Sequence, residues 1–420
     1  MMRTRSLELD LALERTEDGC FVQVRRSPAG QGETRFHNPF TPRDLERFWS
    51  RLDEVRRSGQ PLPEIASAVR TAGQQLFEAV FRGEVLGCLR ASFDLAQVEQ
   101  ATLRIHIDLE TTPYLEDLPW EYLYNPEREE YISLASVSPL SRYTSLQHRI
   151  LPLKAPSPLR TLVMAAGPSS YPKVAVDQEW LSLLDTVDFL GASGKVRFER
   201  LQKPTLLDLQ RRLRQDDYHI LNIIGHAVFD KQTGQGQLVF EDEMGRSRLV
   251  SGQHLGSLMR DHYSLRLIVL AGPTYNQVAT DYRAFLDVAR SLVRRGVAAV
   301  VAPQFGIPQS AWLTYIREFY TRLAQLEPVD ATMVQARRLM GQVEGGPYWG
   351  APVLFTRCAD GCLFNDGTVE RPELPPGVQE EVAARLNSLR IRTATREAIA
   401  RWGTEWPGPP TPRGPASKDS

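Results

Sequence analysis

The chain has 420 residues, with 50 Lys+Arg against 51 Asp+Glu and a formal net charge of −1 at pH 7. At 42% hydrophobic and 24% charged it has an ordinary globular composition, which excludes the disordered and fibrous classes and gives no ground for a nucleic-acid binder. The length allows two or three separate cores or one large two-lobed unit. Only six of the basic residues are Lys, so Arg carries nearly all the positive charge. The four cysteines, Cys20, Cys88, Cys358 and Cys362, are too few for a disulfide framework. The C-x3-C spacing of the last two lacks the second half of a zinc site. A reducing compartment, the cytoplasm, is the expectation. Leu7 to Leu11 alternate with acidic residues, unlike a signal-peptide core, and no run approaches 18 apolar residues, so no membrane span is expected.

Alternation predicts strands at Leu7 to Leu13 and at Phe21 to Val24, with turn chemistry in Ser27-Pro-Ala-Gly30. Thr41 is suited to cap a helix with Pro42 at its first position and Leu45, Phe48, Trp49, Leu52 and Val55 on one face. A second helical stretch carries Leu76, Phe77, Val80 and Phe81, then Val85, Cys88 and Leu89. Leu103, Ile105, Ile107 and Leu109 alternate with polar residues as a half-buried strand. The block Leu118-Pro-Trp-Glu-Tyr-Leu-Tyr124 follows, and three prolines within 147–158 mark a boundary. Trp120-Glu121 reads either as an interaction box or as core.

From residue 159 strands alternate with helices. Strands are predicted at Leu159 to Ala165, Val196 to Leu201, Tyr218 to Gly225, Leu265 to Ala271, Val297 to Ala302 and Pro352 to Thr356. Helices are predicted at Val176 to Leu190, after the Thr205 cap, at Tyr282 to Arg295, and near 310–326 and 330–342. The near-continuous apolar strands fit a parallel sheet covered on both faces, and the alternation implies a doubly wound fold. Leu238 to Gly245 with Arg248-Leu-Val reads as an inserted β-hairpin; its Glu241-Asp242-Glu243 is an acidic cluster or, more simply, a solvated turn. Past Pro372 to Pro376, a Val378, Val382, Leu386 and Leu389 stripe predicts a helix to about Trp402, which either docks a partner or packs back on its own domain. The last fifteen residues are Pro/Gly/Ser-rich and expected to be disordered.

In an open α/β sheet, ligands collect at the carboxyl ends of the central strands. That rule selects two loops, Gly225-His226-Ala227 and Gly272-Pro273-Thr274. A histidine at such a strand exit serves as a general base or as a structural group bonded to a neighbouring loop. His106, His148, His219, His254 and His262 share no metal-ligand spacing, and no Walker-type glycine loop exists, so neither metal nor cofactor is expected.

Several blocks in order carry a resemblance. They are Leu118 to Tyr124, Tyr218-His-Ile-Leu-Asn-Ile-Ile-Gly-His226 with Phe229-Asp230, Leu249-Val-Ser-Gly252, Leu265 to Leu270, Ala289 to Gly296 with Val300-Val-Ala302, and Trp349-Gly-Ala-Pro-Val353. From about Leu7 to Phe364 the chain resembles the CHAT domain, a caspase-like family of the caspase/separase cysteine-protease clan. The resemblance implies an α/β, caspase-like, doubly wound and mostly parallel sheet flanked by helices, with an N-terminal accessory α+β lobe. Its parts are the lobe at 1–150, the core at 151–364, a linker and amphipathic helix at 365–405 and a tail at 406–420.

Active members of that family use a His–Cys dyad. His226 matches the histidine of the motif, although Ala227 stands where a Gly usually follows. Leu270-Ala271-Gly272-Pro273-Thr274 occupies the cysteine loop, which puts Pro273 at the nucleophile position. It lies 47 residues after His226, close to the spacing of about 50 between caspase dyad members. Proline has neither a nucleophile nor the backbone N–H that would help bind an oxyanion. The expectation is a pseudoprotease with a vestigial His226/Pro273 dyad, Thr274 as the fallback nucleophile, and a groove lined by Gly225, His226, Ala227, Gly272, Pro273, Thr274, Gln304 and Phe305. A protein or peptide partner follows, with no nucleic acid and no membrane, in a setting such as bacterial defence or programmed death. The alternative is an active endopeptidase with a relocated nucleophile.

Overall fold

The computed structural model describes residues 5–58, 63–144, 150–155, 157–274, 281–344 and 346–367. The helix and tail expected beyond Pro372 lie outside the described residues. The elements begin with β1 (Ser6–Thr16), β2 (Gly19–Arg26), β3 (Gly32–Phe36), α1 (Pro42–Ser58), α2 (Pro63–Val80), α3 (Gly83–Val98) and β4 (Thr102–Asp108). The short pair β5 (Tyr124–Asn125) and β6 (Glu130–Tyr131), then β7 (Leu140–Tyr143), β8 (Leu153–Lys154), β9 (Leu159–Ala165), α4 (Val176–Ala192), β10 (Val196–Arg200) and α5 (Leu206–Gln215) follow. Next come β11 (Ile220–Ile224), β12 (Ala227–Asp230), β13 (Gln235–Glu241), β14 (Ser247–Ser251), α6 (Gly252–Met259) and β15 (Leu267–Ala271). The last are α7 (Tyr282–Arg294), β16 (Ala299–Pro303), α8 (Gln309–Leu323), α9 (Val329–Glu344), β17 (Pro352–Thr356) and β18 (Phe364–Asn365).

Eleven strands form one sheet in the order β10-β9-β11-β15-β16-β17-β7-β4-β1-β2-β3. The first five are parallel to one another. β17 runs antiparallel to β16, and β7, β4 and β1 run parallel to β17, so the sheet reverses direction in its middle; β2 and β3, at its edge, each run antiparallel to the strand before. Leu183 and Val187 of α4, Ile316 and Phe319 of α8 and Met333 of α9 pack in the core of one face. Leu209 of α5, Leu255 of α6 and Val288 and Leu292 of α7 pack in the core of the other. The fold is α/β with a mostly parallel central sheet between helices. Strands contributed by residues before 150 and after 159 belong to the same sheet.

The capping chemistry forms as read: Thr41 Oγ1 accepts from Asp44 N–H at 3.3 Å while Asp44 accepts from Thr41 N–H at 3.0 Å. Thr205 Oγ1 likewise accepts from Asp208 N–H at 3.0 Å. Three expectations change. The helical stretch around 76–89 is two helices, because Gly83 takes φ +50 and turns the chain between them. The strand at 102–108 is buried on both faces rather than half-buried, since its polar side chains are paired. Arg104 Nε meets Asp330 at 2.6 Å, His106 Nδ1 lies 2.7 Å from Asp10, and Asp108 accepts from Arg25 at 2.6 Å. The inserted hairpin is a three-stranded sheet, β12-β13-β14.

Trp120-Glu121 is core. Trp120 is fully buried and donates to the Leu115 carbonyl at 2.8 Å. The Glu121 carboxylate takes a two-pronged contact from buried Arg142, Nε at 3.1 Å and Nη2 at 2.8 Å. Gln304 Nε2 donates to the same carboxylate at 2.8 Å and to the Gly350 carbonyl at 2.6 Å. Glu121→Ala leaves the Arg142 charge buried without its counter-ion, and the expected loss of unfolding free energy is about 3–5 kcal/mol. Urea denaturation of the two proteins side by side checks it; a loss below about 1 kcal/mol, the range of an exposed pair, would show that the network carries little.

Candidate functional site

β11 and β15 end in register, with Ile224 opposite Ala271 and the Gly225 N–H donating to the Ala271 carbonyl at 3.1 Å. His226 and Pro273 therefore occupy matching positions, two residues beyond the carboxyl ends of neighbouring strands. Glycine suits position 225 because a Cβ there would sit 3.2 Å from the Ala166 carbonyl oxygen, which closes the next strand exit along the sheet.

His226 is 3% exposed. Its Nε2 lies 2.9 Å from the Pro172 carbonyl, in the segment between β9 and α4, and its ring lies 5.8 Å from that of Tyr171. A carbonyl only accepts, so Nε2 carries the proton and Nδ1 is the basic nitrogen of the neutral ring. A third group that fixes the tautomer and plane of an imidazole is what general-base catalysis requires of a histidine's surroundings. Of the two alternatives expected for His226, base or loop-bonded structural group, the contact with the Pro172 carbonyl is that of the loop-bonded group.

Pro273 is buried and Thr274 half-buried. Thr274 is engaged twice by Glu179 of α4: its N–H reaches Oε1 at 2.5 Å and its Oγ1 donates to Oε2 at 2.7 Å. The space lined by Gly272, Pro273, Thr274, Phe305, Ile307 and Trp312 amounts to about 10 Å³, the room of a single water. Ala227 is buried at the start of β12, and Phe305 packs 5.8 Å from Trp49. Gln304 spends its side chain on Glu121, Gly350 and Arg142. A much wider cleft, about 790 Å³, lies elsewhere, between α5, α6 and β14, with His254 and His262 on its walls.

The thiols sit apart from this end of the sheet. Because β17 is antiparallel to β16, with Thr356 opposite Ala299 and Pro352 opposite Pro303, Cys358 and Cys362 follow the sheet's opposite edge. Burial pushes the Cys358 thiol up to about 12, with Asp360 adding to the shift. Cys88 is buried within α3, and Cys20 lies on β2 with its thiol raised by burial. His219 accepts from Arg160 N–H at 3.0 Å, and burial lowers its pKa. His148 lies outside the described residues. Among the described residues no group of three or more His, Cys, Asp or Glu is arranged to hold a metal ion, and no helix is long and apolar enough to cross a membrane.

Three participants went unread in the sequence: Tyr171, Pro172 and Glu179. Pro172 acts through a carbonyl, which has no side-chain signature, and Glu179 reads only as an acidic residue in a helix's first turn, where such residues are favoured anyway.

The family model described as CHAT domain matches residues 70–357. Among curated proteins none matches the chain. Similar solved structures include the complex of RgpB pro- and mature domains from Porphyromonas gingivalis, at TM-score 0.36 and 11% identity, covering 77% of this chain and 78% of that one. The Saccharomyces cerevisiae separase–securin complex is similar at TM-score 0.39 and 8% identity, covering 83% of this chain and 30% of that one.

The raised thiol has a pH consequence. Cys358 moves from 9.0 unfolded to about 12 folded, so its stabilising share is complete below pH 9 and is lost as pH rises through about 12. At pH 8, iodoacetamide is expected to leave Cys358 unmodified in the folded protein and to modify it in denaturant, read by peptide mass spectrometry.

Proposed function

We propose, for a chain that belongs to the CHAT domain family, that it is a pseudoprotease: a binding, regulatory or scaffold subunit built on a caspase-like groove. In the resemblance Pro273 stands at the nucleophile's place, and it brings neither a thiol nor an N–H for the oxyanion. The observation that carries the reading is the Glu179–Thr274 pair. The nearest hydroxyl and the nearest backbone N–H after Pro273 are both spent on one carboxylate, at 2.7 and 2.5 Å. The four cysteines, placed on β2, in α3 and at the far edge of β17, add no substitute. The partner on this reading is a protein or a peptide segment, met in the cytoplasm. Bacterial defence or programmed-death signalling is the setting the family suggests, by analogy of fold alone.

The same pair favours one second reading, a hydroxyl-type endopeptidase in which Glu179 draws the proton from Thr274. It is the weaker, because a carboxylate that already accepts a backbone N–H is a poor base for an alcohol.

An electrophilic peptide probe, read by intact-protein mass, separates the two. The protein itself is expected to stay unmodified. Pro273→Cys is expected to gain one adduct, formed about 10²–10⁴-fold more slowly when His226→Ala is added, the share a general base contributes. An adduct on Thr274 or a native cysteine that disappears with His226→Ala or Glu179→Gln would establish an enzyme instead.

A further inference from the structure

The segment that reaches His226 is fastened from outside. Ser169 donates to the Gly245 carbonyl through its N–H at 2.9 Å and its Oγ at 3.0 Å. Ser170 Oγ accepts from Ser247 N–H at 2.9 Å and donates to Ser247 Oγ at 2.8 Å. Gly167 N–H donates to Glu241 Oε1 at 2.9 Å. All these bonds go to one hairpin, from Glu241 at the end of β13 through the turn to Ser247 at the start of β14.

That turn is stiff in its own right. Asp242 Oδ1 accepts from the N–H of Met244 at 2.8 Å and of Arg246 at 2.9 Å, Arg246 Nε donates to Oδ2 at 3.0 Å, and Gly245 holds φ +72. The segment itself is buried at its ends and exposed between them: Pro168 and Val174 are buried, while Ser169, Ser170, Pro172 and Lys173 are exposed. Its inner side carries the Pro172 carbonyl and the Tyr171 ring against the imidazole. The serine bonds are exposed and neutral, hence individually weak, so the part of the cover they hold opens locally far more readily than the fold unfolds, while the Gly167–Glu241 bond stays as its hinge.

We propose that Gly167–Ala175 is a latched cover over His226, that the hairpin turn Asp242–Ser247 is its latch, and that releasing the latch opens the groove to a ligand. This rests on the reading of the His226 strand end as the functional groove, yet its test needs neither catalysis nor a partner.

Diethyl pyrocarbonate acylates accessible imidazoles, and site-resolved mass spectrometry reports each histidine. Ser169→Ala with Ser170→Ala removes the side-chain half of the latch on exposed residues. His226 acylation is expected to rise about tenfold, the population gained when hydrogen bonds of ordinary net strength are lost. The buried His219 should keep its rate. Ser170→Cys with Ser247→Cys, oxidised, should slow His226 acylation below that of the unaltered protein, and reduction should reverse it. The proposal is overturned if His226 reacts at the same rate in the double-alanine and cross-linked proteins, or if His219 rises in step with it, which marks general loosening rather than release of a latch.

Discussion

The strand-end geometry depends on a charge pair kept out of water. Glu121 and Arg142 are 2% and 4% exposed, and burying either alone would be costly. The cost is met by completeness. Arg142 places Nε and Nη2 on the carboxylate, Nη1 on the Glu116 carbonyl at 3.0 Å, and Nη2 also within 3.2 Å of Gln304 Oε1. Gln304 follows β16 directly, and its N–H donates to the Ala351 carbonyl at 2.9 Å, just ahead of β17. The network thus ties the block at 118–124 to the antiparallel junction of β16 and β17, in the middle of the central sheet. Phe305, the next residue, lines the small space beside Pro273, so an ion pair in the first half of the chain helps set the shape of a loop in the second.

Much of this fold was legible because the parallel strands are apolar on both faces and their helices carry caps with a local mechanism. Reading failed where polar residues are buried. Arg104, His106 and Asp108 alternate with Leu103, Ile105 and Ile107 as a solvent-facing row would, and nothing local distinguishes them from one. Their partners, Asp330, Asp10 and Arg25, come from α9, β1 and β2. Glu121 concealed itself in the same way: its partner is 21 residues on, and Gln304 is 183 residues on. The edge strand β3, Gly-Glu-Thr-Arg-Phe, was missed for a different reason, since charged side chains on a short edge are how sheets avoid pairing further, and they mask the strand pattern.

The site divides along the same line. The two loops followed from the rule that strand carboxyl ends gather function, and the pairing of Ile224 with Ala271 places them side by side. What orients them did not follow, because orientation comes from a segment some fifty and a hundred residues upstream in the chain, acting through one carbonyl and one carboxylate.

Pro172 and Glu179 are seven residues apart on that segment, one holding His226 and the other Thr274. A single stretch, the exit of β9 and the first turn of α4, therefore holds both members of the loop pair. Neither contact asks anything of the side chain at 273. An exchange of another residue for proline there leaves undisturbed the hydrogen bonds that hold the two loops, because proline gives up only its own N–H, while the fixation of the loop begins at the N–H of Thr274. On the proposed reading this separates loss of chemistry from loss of form: catalysis needs one atom at one place, whereas binding needs the surface around it, and the surface is held by groups that the exchange leaves in position.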